Sequence, residues 1–239
     1  MLKYRCLRQS GAETLEFLIV VFLLAIAVIP ALYMFVPSLQ KAVCNIVDSI
    51  SGTTSDCAAG IVDIFNDDFS KCPGSWGNMT GSLSCVDGRK CSGVNQNVLT
   101  LADGTNGQDY TISTNAQLNS GNGYGVIFRA SGPAVGNALP TSGYAFQYDY
   151  GRKQFVFRKF ANNGESQLVA SPTLPGNYDW SKSRDIKVVV KGNTFTAYVD
   201  GQQVLEATDN SFPSGQAGLR TWYGGGNQSC FDDFKVTKP

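Results

Sequence analysis

The sequence predicts an α+β protein: a long N-terminal transmembrane and stem α-helix followed by an all-β sandwich. Three observations carry this reading. Residues 17–37 are an almost unbroken apolar run. Beyond residue 65, short segments alternate apolar and polar side chains. Between those segments recur Asp103-Gly104, Asn106-Gly107, Asn163-Gly164, Gly192-Asn193 and Asp200-Gly201, pairs whose backbone freedom suits tight turns between strands.

The apolar run comes first. At 1.5 Å per helical residue it spans ~30 Å, the thickness of a bilayer's hydrocarbon core. Lys3, Arg5 and Arg8 precede it with no acid among them, so the N-terminus is expected to stay cytoplasmic and the remainder to cross. Pro30 removes one backbone donor inside the run and is expected to kink the helix, which membrane helices tolerate. Leu39, Val43, Ile46 and Ile50 then continue the helical period as an apolar stripe. Ser51-Gly52-Thr53-Thr54-Ser55 ends this stem, and a second short helix is expected over residues 56–63. A general secretory signal fits less well, because the run is too long and lacks a small-x-small exit. A lipoprotein signal fits no better, since Cys44 follows Lys41-Ala42-Val43.

The junction ahead of the run is its most specific feature. Gly11-Ala12-Glu13-Thr14-Leu15-Glu16-Phe17 closes a basic leader with a small residue and places a carboxylate five positions on. With Leu18-Ile19-Val20-Val21 and Ala25-Ile26-Ala27-Val28-Ile29-Pro30-Ala31, it resembles the class III signal of type IV prepilins over the first forty or so residues. That resemblance implies cutting by prepilin peptidase between Gly11 and Ala12. It also implies a role for Glu16, a carboxylate costly to bury in lipid: neutralising the freed Ala12 amine of a neighbouring subunit during assembly. The implied partners are other pilin subunits, the peptidase and, before assembly, the inner membrane. The implied location is the cytoplasmic membrane, with the C-terminus outside, and then a cell-surface pilus. A lone interfacial glutamate ahead of an ordinary anchor is the simpler reading of the same residues. The domains expected are a leader over 1–11, a stem over 12–64 and a β-sandwich head over 65–239.

Composition narrows the chemistry. The chain has seven cysteines and no histidine. Without histidine, Ser-His-Asp and Cys-His catalysis and every His-ligated metal site are excluded. No C-x₂-C pair suggests zinc. Cys6 would leave with the leader, so six cysteines remain beyond a membrane-crossing segment, a count that suggests disulfides in an oxidising space. Six cysteines allow fifteen pairings. The pairs expected on sequence proximity are Cys85–Cys91, around the Asp87-Gly88 turn, and Cys44–Cys57. Lysine plus arginine equals aspartate plus glutamate, at 19 each, and loss of the leader leaves the chain mildly acidic. No basic cluster suggests nucleic acid as a partner.

In the head, alternation sorts the faces. Tyr124, Val126 and Phe128; Tyr144, Phe146, Tyr148 and Tyr150; Ile186, Val188 and Val190; and Phe195, Ala197 and Val199 each share one parity. Successive strand side chains point to opposite faces, so these sets are expected to form the inter-sheet core.

The pieces Asn66-Asp67-Asp68-Phe69-Ser70, Gly123-Tyr124-Gly125-Val126-Ile127-Phe128-Arg129, Gly143-Tyr144-Ala145-Phe146-Gln147-Tyr148, Val199-Asp200-Gly201, Gly218-Leu219-Arg220-Thr221-Trp222 and Phe231-Asp232-Asp233-Phe234-Lys235-Val236 resemble, in that order, a concanavalin A-like jelly roll of the laminin-G-like and lectin-like kind. In that fold the first and last strands lie side by side. Facing Phe69 against Asp233 would set Cys72 opposite Cys230, the third expected pair. The resemblance also implies a glycan ligand. Arg129, Gln147, Asp149, Arg158, Arg220 and Trp222 are expected to project from the concave sheet, where they would suit sugar hydroxyls or serve as a solvated face. Calcium is implied as a second ligand, at Asp67, Asp68, Asp232 and Asp233; no other cofactor is. Glucanases of this fold carry Glu-x-Asp-x-(x)-Glu on one strand, and no such run occurs. Glu165 and Glu206 are expected to lie isolated on surface segments, so no enzyme activity is expected.

Overall fold

Strand periodicity governs the head, as expected. The computed structural model describes residues 62–71, 76–94, 96–134, 139–222 and 228–238. The expected leader, membrane helix and stem stripe lie outside these residues, as do Gly11, Ala12, Glu16 and the Cys44–Cys57 pair. Among the described residues there is no helix long and apolar enough to cross a membrane. The second short helix expected over 56–63 falls outside them except at its end, where Asp63 instead opens the first strand.

The strands in chain order are β1 (Asp63–Asp67), β2 (Trp76–Thr80), β3 (Leu83–Val86), β4 (Arg89–Ser92) and β5 (Val98–Ala102). There follow β6 (Tyr110–Ser120), β7 (Gly123–Ser131), β8 (Ser142–Asp149), β9 (Gln154–Ala161) and β10 (Gly164–Ala170). The last five are β11 (Arg184–Lys191), β12 (Thr194–Val199), β13 (Gln202–Thr208), β14 (Gln216–Thr221) and β15 (Gln228–Thr237). Two antiparallel sheets result. One runs β13-β12-β11-β6-β15-β4-β3, with β1 also on β15; the other runs β10-β9-β8-β7-β14-β5-β2.

Turn chemistry closes the hairpins. Asp87-Gly88 and Asp200-Gly201 take positive φ at both residues, the geometry whose twist matches flanking strands. The β9–β10 turn uses Asn162 and Asn163, both at positive φ, one residue earlier than the Asn163-Gly164 pair suggested.

The core lies between the sheets. Tyr124, Val126, Phe128, Tyr144, Phe146 and Tyr148 meet Ile112, Ile186, Val188, Val190, Phe195 and Ala197 there. Ring packing dominates it: Phe128 contacts Phe195 edge-on at 4.9 Å, and Phe146 stacks on Phe155 at 5.6 Å. Strict alternation fails in β15. There a bulge between Asp232 and Lys235, with Asp233 at φ 49°, lets Phe231 and Phe234 both face inward.

The disulfide pattern differs from the expected one. Cys91 is bonded to Cys230, its direct cross-strand partner between β4 and β15. This rules out both Cys85–Cys91 and Cys72–Cys230. In the β3–β4 hairpin Cys85 pairs with Lys90, and Cys91 with Ser84, so Cys85 and Cys91 point to opposite faces. The Cys72–Cys230 pairing assumed that β1 runs the length of β15. Instead β1 ends at Asp67 opposite Phe234, and β4 takes over that edge at Phe231 and Cys230. Cys85 is itself disulfide-bonded, and Cys72 lies outside the described residues.

Three of the four acids considered for calcium, Asp67, Asp68 and Asp232, make local hydrogen bonds. Asp67 accepts hydrogen bonds from Phe69 N–H and from Trp76 Nε1–H, and lies 3.7 Å from buried Lys90. Asp68 accepts from the N–H and hydroxyl of Ser70, and Asp232 from Asp233 N–H. Among the described residues no group of three or more histidine, cysteine or acidic side chains is placed to hold a metal.

One further carboxylate pins a loop to the core. Asp209 accepts from Tyr144 Oη–H at 2.6 Å and from Lys159 Nζ at 3.0 Å. Burial alone would raise its pKa, but hydrogen bonds from Tyr144, Ser211 and Lys159 outweigh it and hold the carboxyl well below the usual range.

Two outcomes follow for stability. A depressed carboxyl stabilises the fold above its unfolded value, about pH 4, and the gain is lost as pH falls through the native value. Asp209→Asn is therefore expected to cost about 1–3 kcal/mol at pH 7, with the gap to wild type closing below about pH 4 in denaturant titrations. Replacing both Cys91 and Cys230 by alanine is expected to lower unfolding free energy by about 2–5 kcal/mol, read by the same method.

Candidate functional site

The outer face of the second sheet is built by the residues between the core-facing ones. Cross-strand register places Ala145 beside Arg158 and Gln147 beside Val156 on β8 and β9. On the other side, Gly125 of β7 sits between Gln147 of β8 and Arg220 of β14. Gln147, Asp149, Arg158, Arg220 and Trp222 thereby converge on one pocket of about 380 Å³, completed by Asn97, Leu139 and Glu165. That volume is at the low end of the usual small-molecule range, about 300–1,000 Å³.

Glycines make the floor. A Cβ on Gly125 would come within 3.2 Å of the Gln147 Cβ, and one on Gly123 within 2.7 Å of the Trp222 ring. Gly123 also has φ 146°, a conformation that side chains rarely adopt. With no side chain at 125, the Arg220 guanidinium reaches across to Gln147 Oε1 at 2.9 Å. With none at 123, the Trp222 indole lies down over the strand.

The charged groups form a continuous chain. Asp149 Oδ2 accepts from Arg158 Nη2 at 3.1 Å. Arg158 Nε lies 3.1 Å from Glu165 Oε1, close enough for an ion pair but without hydrogen-bond alignment. Glu165 Oε2 accepts from Arg220 Nη2 at 3.0 Å. Arg220 is 3% exposed, and its guanidinium sits 5.2 Å from the Phe160 ring centre and 5.0 Å from that of Trp222. Burial lowers the pKa of this guanidinium and Glu165 opposes the shift; an arginine keeps its charge regardless. Arg220 Nε–H has no acceptor among the described residues.

Beside the charges lies an apolar shelf. Leu99, Leu101, Ile127, Ala130, Ala145 and Phe160 form a second buried cluster, with Ala134 and Leu139 of the β7–β8 connection packed on it. Both faces of this sheet are thus buried in part.

Arg129 does not belong to the pocket. At the β7 bulge it takes φ 47°, which turns its side chain away from the expected row. Its guanidinium donates to the carbonyls of Gln108, Gly192 and Phe212 and lies 3.6 Å from Asp109, tying loops together. Glu165, expected to be isolated, is the residue that joins the two buried arginines. In the observed hairpin Glu165 faces Phe160 and Gln167 faces Arg158, so Glu165 lies one diagonal step from Arg158, a register that the Asn163-Gly164 pair did not suggest. Asn97 and Leu139 come from connections and carry no sequence signal.

The arrangement offers donors, acceptors and one indole face. Both carboxylates are engaged by guanidinium groups, an array suited to recognising a polyhydroxylated ligand.

No protein-family profile matches the chain. A levanase from Bacillus subtilis (strain 168) is 29% identical over 125 residues, which cover 51% of this chain and 17% of the levanase. The match thus spans less than a fifth of that relative's length. Among solved structures, the carbohydrate binding module CBM66 from Bacillus subtilis has a TM-score of 0.60 at 23% identity, covering 71% of this chain and 99% of that one. A Bacillus subtilis protein of unknown function with a galectin-like fold has a TM-score of 0.58 at 14% identity, covering 74% and 96%. The head is therefore a galectin-like, concanavalin A-like β-sandwich.

Removing Arg220 leaves Glu165, whose side chain is partly exposed, with Arg158 as its remaining guanidinium partner. Arg220→Met is expected to destabilise the fold by about 1–3 kcal/mol, and Arg220→Met combined with Glu165→Gln by clearly less. Thermal unfolding of the two variants checks this ordering.

Proposed function

We propose that the head is a carbohydrate-binding module held outside the cytoplasmic membrane by its N-terminal segment, binding rather than cleaving its ligand. The observation that carries this is the convergence of Asp149, Arg158, Glu165, Arg220 and Gln147 beside Trp222 in one pocket. A sugar ring presents hydroxyls that both donate and accept, beside apolar C–H faces. Carboxylate oxygens accept from such hydroxyls, guanidinium and amide N–H groups donate to them, and an indole packs on the ring face. The levanase and the carbohydrate binding module named above support the same class of ligand and make levan the first probe to use. No acid in the pocket stands free of a guanidinium, which favours binding over acid–base hydrolysis. The calcium candidates lie apart from this pocket's lining, so binding is expected to persist in EDTA.

A second reading extends the first and rests on Gly11-Ala12 and Glu16 ahead of the apolar run. In it prepilin peptidase cuts after Gly11 and the stem joins other pilin-type subunits, so that the head decorates a filament. An Ala12 N-terminus by mass spectrometry supports this reading, and an uncut Met1 N-terminus in cells with active peptidase removes it.

The full chain in a sugar-free detergent is expected to be retarded by levan in affinity electrophoresis without releasing sugars. Asp149→Ala and Trp222→Ala are each expected to weaken retention about tenfold. No retention by levan or by any polysaccharide on a glycan array overturns the proposal. So does retention that both substitutions leave unchanged.

A further inference from the structure

A second recess lies where β8 leaves its sheet. Asp149 lines the first pocket, and the next residue, Tyr150, lines this one together with Tyr178 and Trp180. Tyr150 opens the turn into β9, and the β10–β11 connection folds over the same end. The recess encloses about 170 Å³. Its walls are aromatic: Tyr150 meets Trp180 edge-on at 4.7 Å and 63°, and Tyr148 lies 6.1 Å from Tyr178.

These walls are held in place. Tyr150 N–H donates to Asn122 O at 2.8 Å, and Leu174 N–H to Lys153 O at 2.8 Å. Arg184 lies 4.6 Å from the Tyr178 ring centre while donating to Asp179 O and to the Asp200 carboxylate, each at 2.8 Å. A preformed recess loses little entropy on binding. It is also open: Tyr150, Tyr178 and Trp180 stay only half-buried, and a Cβ on Gly176 would meet nothing within 4 Å. The same three residues pack against the core cluster with one side and line the recess with the other.

We propose that this recess is a second carbohydrate-contact site, taking a further ring of the polymer whose first ring occupies the pocket at Asp149. The inference rests on the carbohydrate-binding reading above. Trp180 and Tyr150 set two ring planes at a steep angle, so a sugar can lie on one face with its edge against the other. Lys153 supplies a flexible ammonium donor for a ring or hydroxyl oxygen. Rings with an apolar body and a polar tip suit a ligand with C–H faces and hydroxyl edges. Asp149 and Tyr150 are consecutive and their side chains leave opposite faces of the strand, so a chain touching both sites would pass round the turn at residues 150–153. A single sugar unit fills only the first.

The test compares levan with free fructose, using the full chain in a sugar-free detergent. Trp180→Ala is expected to weaken levan binding about five- to tenfold while leaving the affinity for fructose unchanged. Trp180→Phe should restore most of the loss. Thermal unfolding of each variant identifies a folding defect, and Trp180→Phe then serves as the test variant, expected to bind levan measurably less tightly than wild type. Wild-type levan affinity in the folded Trp180 variants, with Asp149→Ala still weakened, overturns the second site alone. Absence of binding to levan and to every polysaccharide on a glycan array overturns both this site and the reading on which it rests.

Discussion

The polar side chains of β8 and β9 on the outer face owe their direction to ring packing on the other side of the same strands. Phe128, Tyr144 and Phe157 pack on Phe195 between the sheets, and Phe157 continues the cluster through Phe146 to Phe155. Moving any of these strands by one residue would push rings into water and bring Gln147 or Arg158 into the core. The cost of that slip, several buried rings at roughly 2 kcal/mol or more each, fixes the register. Register then delivers Gln147, Arg158 and Arg220 to the outer face side by side. The pocket is in this sense a by-product of the core.

What register cannot supply is the arrangement of charge. Two arginines buried on one face would repel, and each needs its N–H groups satisfied. Glu165 meets both requirements, reaching Arg220 with one oxygen and approaching Arg158 with the other. Gln147 and Asp149 take the outer ends of the array. The small residues Gly123, Gly125 and Ala145 leave the room in which these long side chains lie flat. The paired donors and acceptors are held in place, so ordering them for a ligand would cost little entropy.

The parts of this molecule that the sequence made legible are those governed by local rules. Period-two alternation identified the inward sets on β7, β8, β11 and β12, and Asp87-Gly88 and Asp200-Gly201 marked two of the hairpins. Alternation also put five of the six expected polar residues on one face. It failed at Arg129 because a bulge reverses side-chain direction after Phe128, and no residue in Gly123-Tyr124-Gly125-Val126-Ile127-Phe128-Arg129 announces a bulge. It failed for the cysteines because spacing along the chain suggested Cys85–Cys91, whereas hairpin geometry sets those two on opposite faces.

By itself, then, the sequence determined a β-sandwich with an aromatic core, the absence of histidine chemistry and most of the residues that line the outer-face pocket. It also carries, ahead of residue 62, an apolar run and a Gly11-Ala12 junction whose roles rest on pattern alone. Only the tertiary structure decided that Glu165 joins Arg158 and Arg220, that Cys91 meets Cys230 across 139 residues of chain, and that Tyr150, Tyr178 and Trp180 gather at one end. The physical reason is the same in each case. These contacts join residues far apart in sequence or on different strands, and which strands become neighbours is decided by the packing of two whole sheets, a quantity no local period or turn pair encodes.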